Sequence, residues 1–236
     1  MSILAAGLGL TLLLTPSLVV QSASHGAQQP RAADVHRRHG APTSIAIPTE
    51  PLMRIGHGYD IHRMAPREEA GQPLVVGGAT FDGSTAPDFE LGCVAHSDGD
   101  VIYHSVVDAI LGALTMPDIG QLFPDNDPRL KGSNSEIFME EAYSRMVDRG
   151  YAIGNVDVTL IAQKPRINVE HAGRAVKSVM HENLARLLRT DASRVNVKAR
   201  THEKVDSVGE ARAIECHVVL TLEKQPGPVP ETPVEV

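Results

Sequence analysis

Between Val101 and Leu114 the sequence is apolar on nearly every side of a helix, with Val101, Ile102, Val106, Val107, Ile110, Leu111 and Leu114 leaving little for solvent. A helix that is hydrophobic all round is buried, so the rest of the chain has to be built over it. One stripe breaks the pattern: Asp100, His104 and Asp108 follow one another at intervals of four and share a line along the helix. Polar groups taken into a core must be satisfied there. A hydrogen-bonded, partly exposed face would meet that condition, and so would a metal-binding face. Ser97-Asp98-Gly99-Asp100 has a capping-box pattern, which predicts that the helix starts there and runs to about Leu114.

The surrounding elements alternate. Leu52 to His57 and Pro73 to Gly78 read as strands. A second helix is predicted from Ser133 to Arg149, with Ser133 and Glu136 as its box and Gly150 as its stop. Asn155 to Gln163 reads as a strand, and Val169 to Arg189 as a long helix with Val169, Val176, Met180, Leu184 and Leu187 along one side. Val195, Val197 and Ala199 alternate with Asn196, Lys198 and Arg200, as in a half-buried strand, and Ile214 to Leu222 gives the last strand. Strands first, then helices and strands in turn, predict a two-layer α/β sandwich. Thr115 to Gly132, with Pro117, Pro124 and Pro128, is a loop of the length that is usually functional.

Charge and proline divide the chain. No Asp, Glu, Lys or Arg precedes Arg31, Ile3 to Val20 is almost wholly apolar, and Ser22-Ala23-Ser24 follows. Residues 1–24 therefore read as a secretory signal, since Pro16 and the modest length disfavour a membrane anchor. Residues 25–52 read as a transit-peptide-like linker; up to residue 49 they carry Arg31, Arg37 and Arg38 against one acid, Asp34. Such a bipartite leader predicts delivery through the secretory route to a complex plastid, a secreted protein with a linker being the simpler alternative. The folded domain is expected over 53–223, followed by a disordered Pro-rich tail over 224–236.

Composition removes whole classes of function. Trp is absent, Phe and Tyr number four each, and the net charge is -7, all of which argue against a nucleic-acid partner. Two cysteines, Cys93 and Cys216, allow at most one bridge, so this is no disulfide scaffold.

Chemistry concentrates in a few segments. Asp60 and His62 are two apart, so in an extended chain both side chains leave from one face. Zinc accepts imidazole nitrogen and carboxylate oxygen, and a catalytic site leaves one position open. An Asp-x-His pair at a strand end supplies half of such a site, although an ordinary loop pair looks the same. His104 would supply the third ligand, with an acid holding its other ring nitrogen. His96 and Ser97 sit where helix-terminal N–H groups favour an anion, so His96 is a candidate phosphate donor as well as a candidate for plain surface packing. The long loop offers Asp118-Ile119-Gly120 and Phe123-Pro124-Asp125-Asn126-Asp127, acid-rich turns suited to polyol hydroxyls. Ala162-Gln163-Lys164-Pro165-Arg166 ends a strand where backbone can grip a base or phosphate. Lys198 to Lys204 follows another strand and includes Arg200, Thr201, His202 and Glu203. It reads either as a solvated charge cluster or as a diphosphate clamp, with Thr201 donating to phosphoryl oxygens and Glu203 holding a hard divalent cation.

Five blocks taken together resemble the 2-C-methyl-D-erythritol 2,4-cyclodiphosphate synthase family: RIGHGYDIH (54–62), AHSDGDVIYHSVVDAILG (95–112), DIGQLFPDNDP (118–128), GNVDVTLIAQKPR (154–166) and VNVKARTHEK (195–204). The resemblance implies a mixed sheet with helices on one face, and a homotrimer with active sites between neighbouring subunits. It implies zinc on Asp60, His62 and His104, and Mg or Mn on Glu203. It also implies a CDP-alcohol phosphate substrate that cyclises with loss of CMP. By the same resemblance cytidine lies near Ala162 to Arg166, the erythritol near Asp118 to Gly120 and Phe123 to Asp127, and His96 and Thr201 steady the transition state. Ser97, Arg200 and His202 join the substrate contacts, with no nucleic acid and no membrane in the mature form. A zinc phosphoesterase and a non-catalytic nucleotide- or isoprenoid-binding trimer are the alternatives. Three segments depart from the pattern. Arg63 to Gly92 is longer than in compact bacterial members, Arg200 stands where many have Thr, and VDSVGEARA (205–213) is more plant-like, leaving Arg212 a weak substrate candidate.

Overall fold

The computed structural model describes residues 50–226, so the signal-like segment, most of the transit-like linker and the tail from residue 227 lie outside the described residues. In chain order the elements are β1 (Met53–Pro66), α1 (Arg67–Ala70), β2 (Val75–Val76), β3 (Ala79–Thr80), β4 (Leu91–Cys93), α2 (Val101–Ala113), α3 (Ile119–Leu122), α4 (Glu136–Asp148), β5 (Tyr151–Ile161), β6 (Glu170–His171), β7 (Arg174–Ala175), α5 (Val176–Leu187), β8 (Val195–Arg200), α6 (Asp206–Gly209) and β9 (Ala213–Lys224).

Five strands form a mixed sheet in the order β4-β1-β9-β5-β8. All neighbours are antiparallel except β5 and β8, which run parallel with α5 as their crossover. Helices α2, α4 and α5 form the second layer, with α2 lying across β1 and β9. Period-two alternation builds the shared core: Ile214, Cys216, Val218, Leu220 and Leu222 of β9 face the helices beside Val156, Val158 and Leu160 of β5. A bulge between Ile153 and Asn155 resets the phase, so Tyr151 and Ile153 are buried as well. On the other face β1 and β9 expose Ile55, Tyr59, Ile61 and Val219.

Two glycines let α2 sit directly on the sheet. A Cβ on Gly56 would lie 1.8 Å from the Ala109 carbonyl oxygen, and one on Gly58 would lie 1.8 Å from that of Ser105. No side chain fits at either place. Gly56, Gly58, Asp60 and His62 share one face of β1, so the absence of side chains at the first two brings α2 down onto the next two.

Several expected boundaries move. The first strand runs on past His57 to Pro66, because β9 pairs with it from Met53 to Arg63 and β4 takes over from Met64. Pro73 to Gly78 contributes half of a small hairpin, β2–β3, rather than one strand. The long third helix begins only at Val176. Ala172 and Gly173 adopt left-handed backbone (φ +50° and +79°) and turn the chain through the β6–β7 hairpin first. The long loop contains α3 and a single 3₁₀ turn at Pro128–Leu130. Just before β1, Glu50 accepts from Arg54 at 3.0 Å and Pro51 O from the Tyr151 hydroxyl at 2.7 Å. No helix of the described residues is long and apolar enough to cross a membrane.

Candidate metal centre and substrate clefts

Asp60, His62 and His104 meet where α2 crosses β1. The Asp60 Oδ2 atom lies 3.0 Å from His62 Nε2 and 3.0 Å from His104 Nδ1, and the two nitrogens are 3.1 Å apart. Ligands about 2.0–2.1 Å from a tetrahedral zinc stand roughly 3.3 Å from one another, so this triangle fits such an ion on three protein ligands with a fourth position open. Burial works to raise the Asp60 carboxyl, but hydrogen bonds to His104 and His62 outweigh it and hold the group well below the usual range. The donor set therefore offers a permanent carboxylate beside two imidazoles.

The polar stripe of α2 is divided among three tasks. His104 turns to the metal point. Asp100, fully buried, is the N-cap and accepts from Ile102 N and Tyr103 N, and also from Gly77 N and Gly78 N of the β2–β3 turn. Asp108 accepts from Ile119 N at 2.8 Å and so anchors the start of α3. Neither acid holds the second nitrogen of His104, contrary to expectation. Ser135 Oγ at 2.9 Å and Ser97 Oγ at 3.2 Å do so.

The expected cap at Ser97 also fails, because Gly99 (φ +71°) keeps the chain out of the helix until Val101. Since Asp100 already occupies the first N–H groups of α2, the anion site expected at that terminus is filled from within the chain. The box at Ser133 and Glu136 does not form either. Asn134 accepts from Glu136 N at 2.8 Å, and the Ser135 hydroxyl is directed to His104 and Asp98.

A cleft of about 430 Å³ opens over the metal point. Its polar wall holds Asp60, His62, His96, Ser97, His104 and Asp125, and its apolar wall holds Ile119, Phe123, Leu130 and Phe138 around Gly120. Leu130 and Phe138 had no motif to mark them; both are ordinary core types. Asp118 and Asp127 spend their carboxylates on local caps, the first accepting from Gln121 N and the second from Arg129 N. Arg129 hydrogen-bonds to Asp127 and pulls its carboxyl down to about 2. Pro124 and Asn126 lie outside the wall.

A second cleft, about 280 Å³, lies at the ends of β5 and β8 and is lined by Ala162, Gln163, Lys164, Pro165, Arg166, Arg200 and Thr201 among others. Ala162 N donates to Arg200 O at 2.9 Å and ties the two strand ends together. Beyond it the chain is tightly coiled, with Glu203, Lys204 and Asp206 at φ +51°, +61° and +59°, a conformation unfavourable for residues with a Cβ. Thr201 donates to Glu203 at 2.7 Å, and His202 pairs with Asp206 at 3.0 Å. That bond raises the His202 imidazole and outweighs a small opposing effect of burial. Arg212 pairs with Glu210.

The sheet register sets Ile61, Glu215, Ile161 and Arg200 in one row. The clefts thus open at the same end of the sheet, with β1 and β8 three strand spacings, or about 14 Å, apart.

The chain is similar to known proteins. Residues 53–223 match the YgbB family. The chloroplastic 2-C-methyl-D-erythritol 2,4-cyclodiphosphate synthase of Oryza sativa subsp. japonica is 47% identical over 210 residues, spanning 89% of this chain and 83% of the relative. The synthase of the same name from Proteus mirabilis is 44% identical over 173 residues, spanning 73% and 98% respectively. Among solved structures, IspF of Plasmodium falciparum in complex with CDP superposes with a TM-score of 0.60 at 38% identity, covering 74% of this chain and 97% of that one.

Proposed function

This chain belongs to the YgbB family, and from that premise we propose how its two clefts act as a 2-C-methyl-D-erythritol 2,4-cyclodiphosphate synthase. The substrate is 4-diphosphocytidyl-2-C-methyl-D-erythritol 2-phosphate. An oxygen of the 2-phosphate attacks the β-phosphorus, the bond from that phosphorus to the bridging oxygen of the α-phosphate breaks, and CMP departs with the electron pair. The products are the cyclic diphosphate and CMP, an isoprenoid-precursor step. No protein nucleophile is needed, so the residues contribute position and charge.

Asp60, His62 and His104 would hold a zinc ion, whose chemistry is Lewis-acid polarisation of the β-phosphate. His96, on the rim of the same cleft, is placed to donate to a phosphoryl oxygen. Phe123, Ile119 and Gly120, with Asp125, form the erythritol wall, the apolar surfaces matching its methyl branch. Ala162 to Arg166 receive cytidine. Thr201, Arg200 and His202 are placed to hold the diphosphate, and Glu203 would hold Mg or Mn, which would supply charge neutralisation there. The observation that carries the reading is the Asp60–His62–His104 triangle on the wall of a cleft of about 430 Å³, a size suited to a small polyol phosphate.

Geometry also argues for a shared site. The two phosphorus atoms of a diphosphate are joined through one oxygen, whereas β1 and β8 of one chain are about 14 Å apart. We therefore assign the Glu203 arm of each working site to a neighbouring copy, in a homotrimer. The exposed Ile55, Tyr59, Ile61 and Val219 supply an apolar face to bury in that assembly. The leader is proposed to direct the chain to a plastid, in keeping with the chloroplastic rice relative, and a complex plastid suits its two-part composition.

The test is incubation of the zinc-loaded chain with the CDP substrate. Cyclic diphosphate plus CMP supports the reading. Release of inorganic phosphate would instead mark a phosphoesterase, and tight CDP binding without turnover a non-catalytic binder.

A further inference from the structure

The second nitrogen of His104 faces an unusual partner. Ser135 is fully buried, and its hydroxyl lies 2.9 Å from His104 Nε2 and 2.5 Å from Asp98 Oδ1. Asp98 is held in turn. Its Oδ2 accepts from Ser135 N at 3.0 Å, its Oδ1 accepts from Asp100 N at 3.1 Å, and its own N–H donates to Ser133 O at 3.0 Å. A carboxylate only accepts, so the Ser135 hydroxyl proton points to Asp98. That leaves Ser135 Oγ a lone pair toward His104, which must then carry its proton on Nε2.

We propose that Asp98 and Ser135 form a positioning relay for His104, keeping a ring proton on Nε2 so that Nδ1, which faces Asp60 and His62, is the nitrogen left to meet a metal. This deepens the reading above and rests on it only for the identity of the reaction. Ser97 differs from Ser135. It is 3.2 Å from the same nitrogen and has no carboxylate behind it, its oxygen instead accepting from Gly99 N at 3.3 Å. It adds polarity without dictating a direction.

The relay also ties the metal centre to the loop that walls the substrate cleft. Gly132 N donates to His96 O at 2.7 Å, and Ser133 O accepts from Asp98, so the last residues of the 115–132 loop are pinned to the segment that orients His104. The loop's exit and the orientation of His104 share one residue, Asp98, the first through its backbone N–H and the second through its carboxylate.

Long-range proton–nitrogen spectra of the metal-free wild-type chain provide the first test. They should show a proton on His104 Nε2, beside whatever Nδ1 donates to Asp60 while no metal is bound. Zinc affinity, measured by competition with a chelator, provides the second. Ser135→Ala should weaken zinc binding about 10- to 100-fold and lower the share of His104 protonated on Nε2, while Ser97→Ala should weaken it less. A wild-type His104 with no proton on Nε2, or a folded Ser135→Ala variant binding zinc as tightly as wild type, overturns the relay. If Ser135→Ala does not fold by circular dichroism, the wild-type spectrum decides alone. Turnover of the CDP substrate by wild type is scored separately, so a protein with the relay but no cyclase activity would sink the function and leave the relay standing.

Discussion

The two clefts open at one end of the same sheet, yet they are made in opposite ways. At the metal centre the ligands sit on a paired strand and a buried helix, held together by glycines that admit no side chain. At the Glu203 arm the residues are exposed, several have left-handed backbone, and Thr201, His202, Glu203 and Asp206 bond mainly to one another. Folding alone completes the first region. In the second, Thr201 donates to Glu203 and His202 pairs with Asp206, bonds that the proposed diphosphate and its counter-ion would replace. On the proposed reading, rigidity lies where a cation would be gripped in fixed geometry, and adaptability where a nucleotide diphosphate would enter and CMP leave.

If that contrast is sound, injuries to the two regions differ in kind. His104→Ala removes a ligand without disturbing the sheet, and turnover should fall by about 10³-fold or more while the fold persists. Steady-state kinetics with zinc analysis checks it, and near-normal activity with bound zinc would break the contrast. Gly58→Ala forces a Cβ into the Ser105 carbonyl and should cost about 3 kcal/mol of stability. Zinc should weaken with it, because α2 can no longer sit on β1; thermal unfolding with and without zinc reads both effects. Glu203→Gln should reduce turnover by about 10²-fold and leave melting temperature and zinc affinity unchanged, as expected of an exposed side chain. A loss of zinc in that variant would mean that the two regions are not separable.

The smallest effect concerns pH. Asp206 raises the His202 imidazole above its usual 6.5, so the cation persists to higher pH than in a free histidine. Asp206→Asn should lower that midpoint and move the alkaline limb of kcat/KM in the same direction, toward lower pH. An NMR titration of His202 in both proteins measures the first shift. An unchanged midpoint would show that the pair is incidental.

Much of the metal centre could be read from residues alone. Asp-x-His spacing places two donors on one face of any strand, and the polar stripe on an otherwise apolar helix marks His104. What could not be read was how the stripe divides. Asp100 and Asp108 look equivalent on a helical wheel, but one caps the helix and the other holds the next loop. Ser135 carried no signal, because the partners that give it a role lie 31 and 37 residues away. The helix expected from Val169 failed for a local reason. Val169 and Val176 are seven apart and fit two turns, yet left-handed Ala172 and Gly173 place a hairpin between them. Gly56 and Gly58 were visible as letters, but their purpose depends on how closely a helix from another part of the chain approaches.

The claim that each working site joins the metal centre of one copy to the Glu203 arm of another is tested most directly by mixing two inactive proteins. His104→Ala chains keep a sound arm, and Glu203→Gln chains keep a sound metal centre. Unfolded together and refolded at equal ratio with zinc and magnesium, they should recover about a quarter of wild-type turnover, the share of interfaces that pair two sound halves. Turnover no higher than the sum of the two separate variants would contradict the account and return both halves of the site to a single chain.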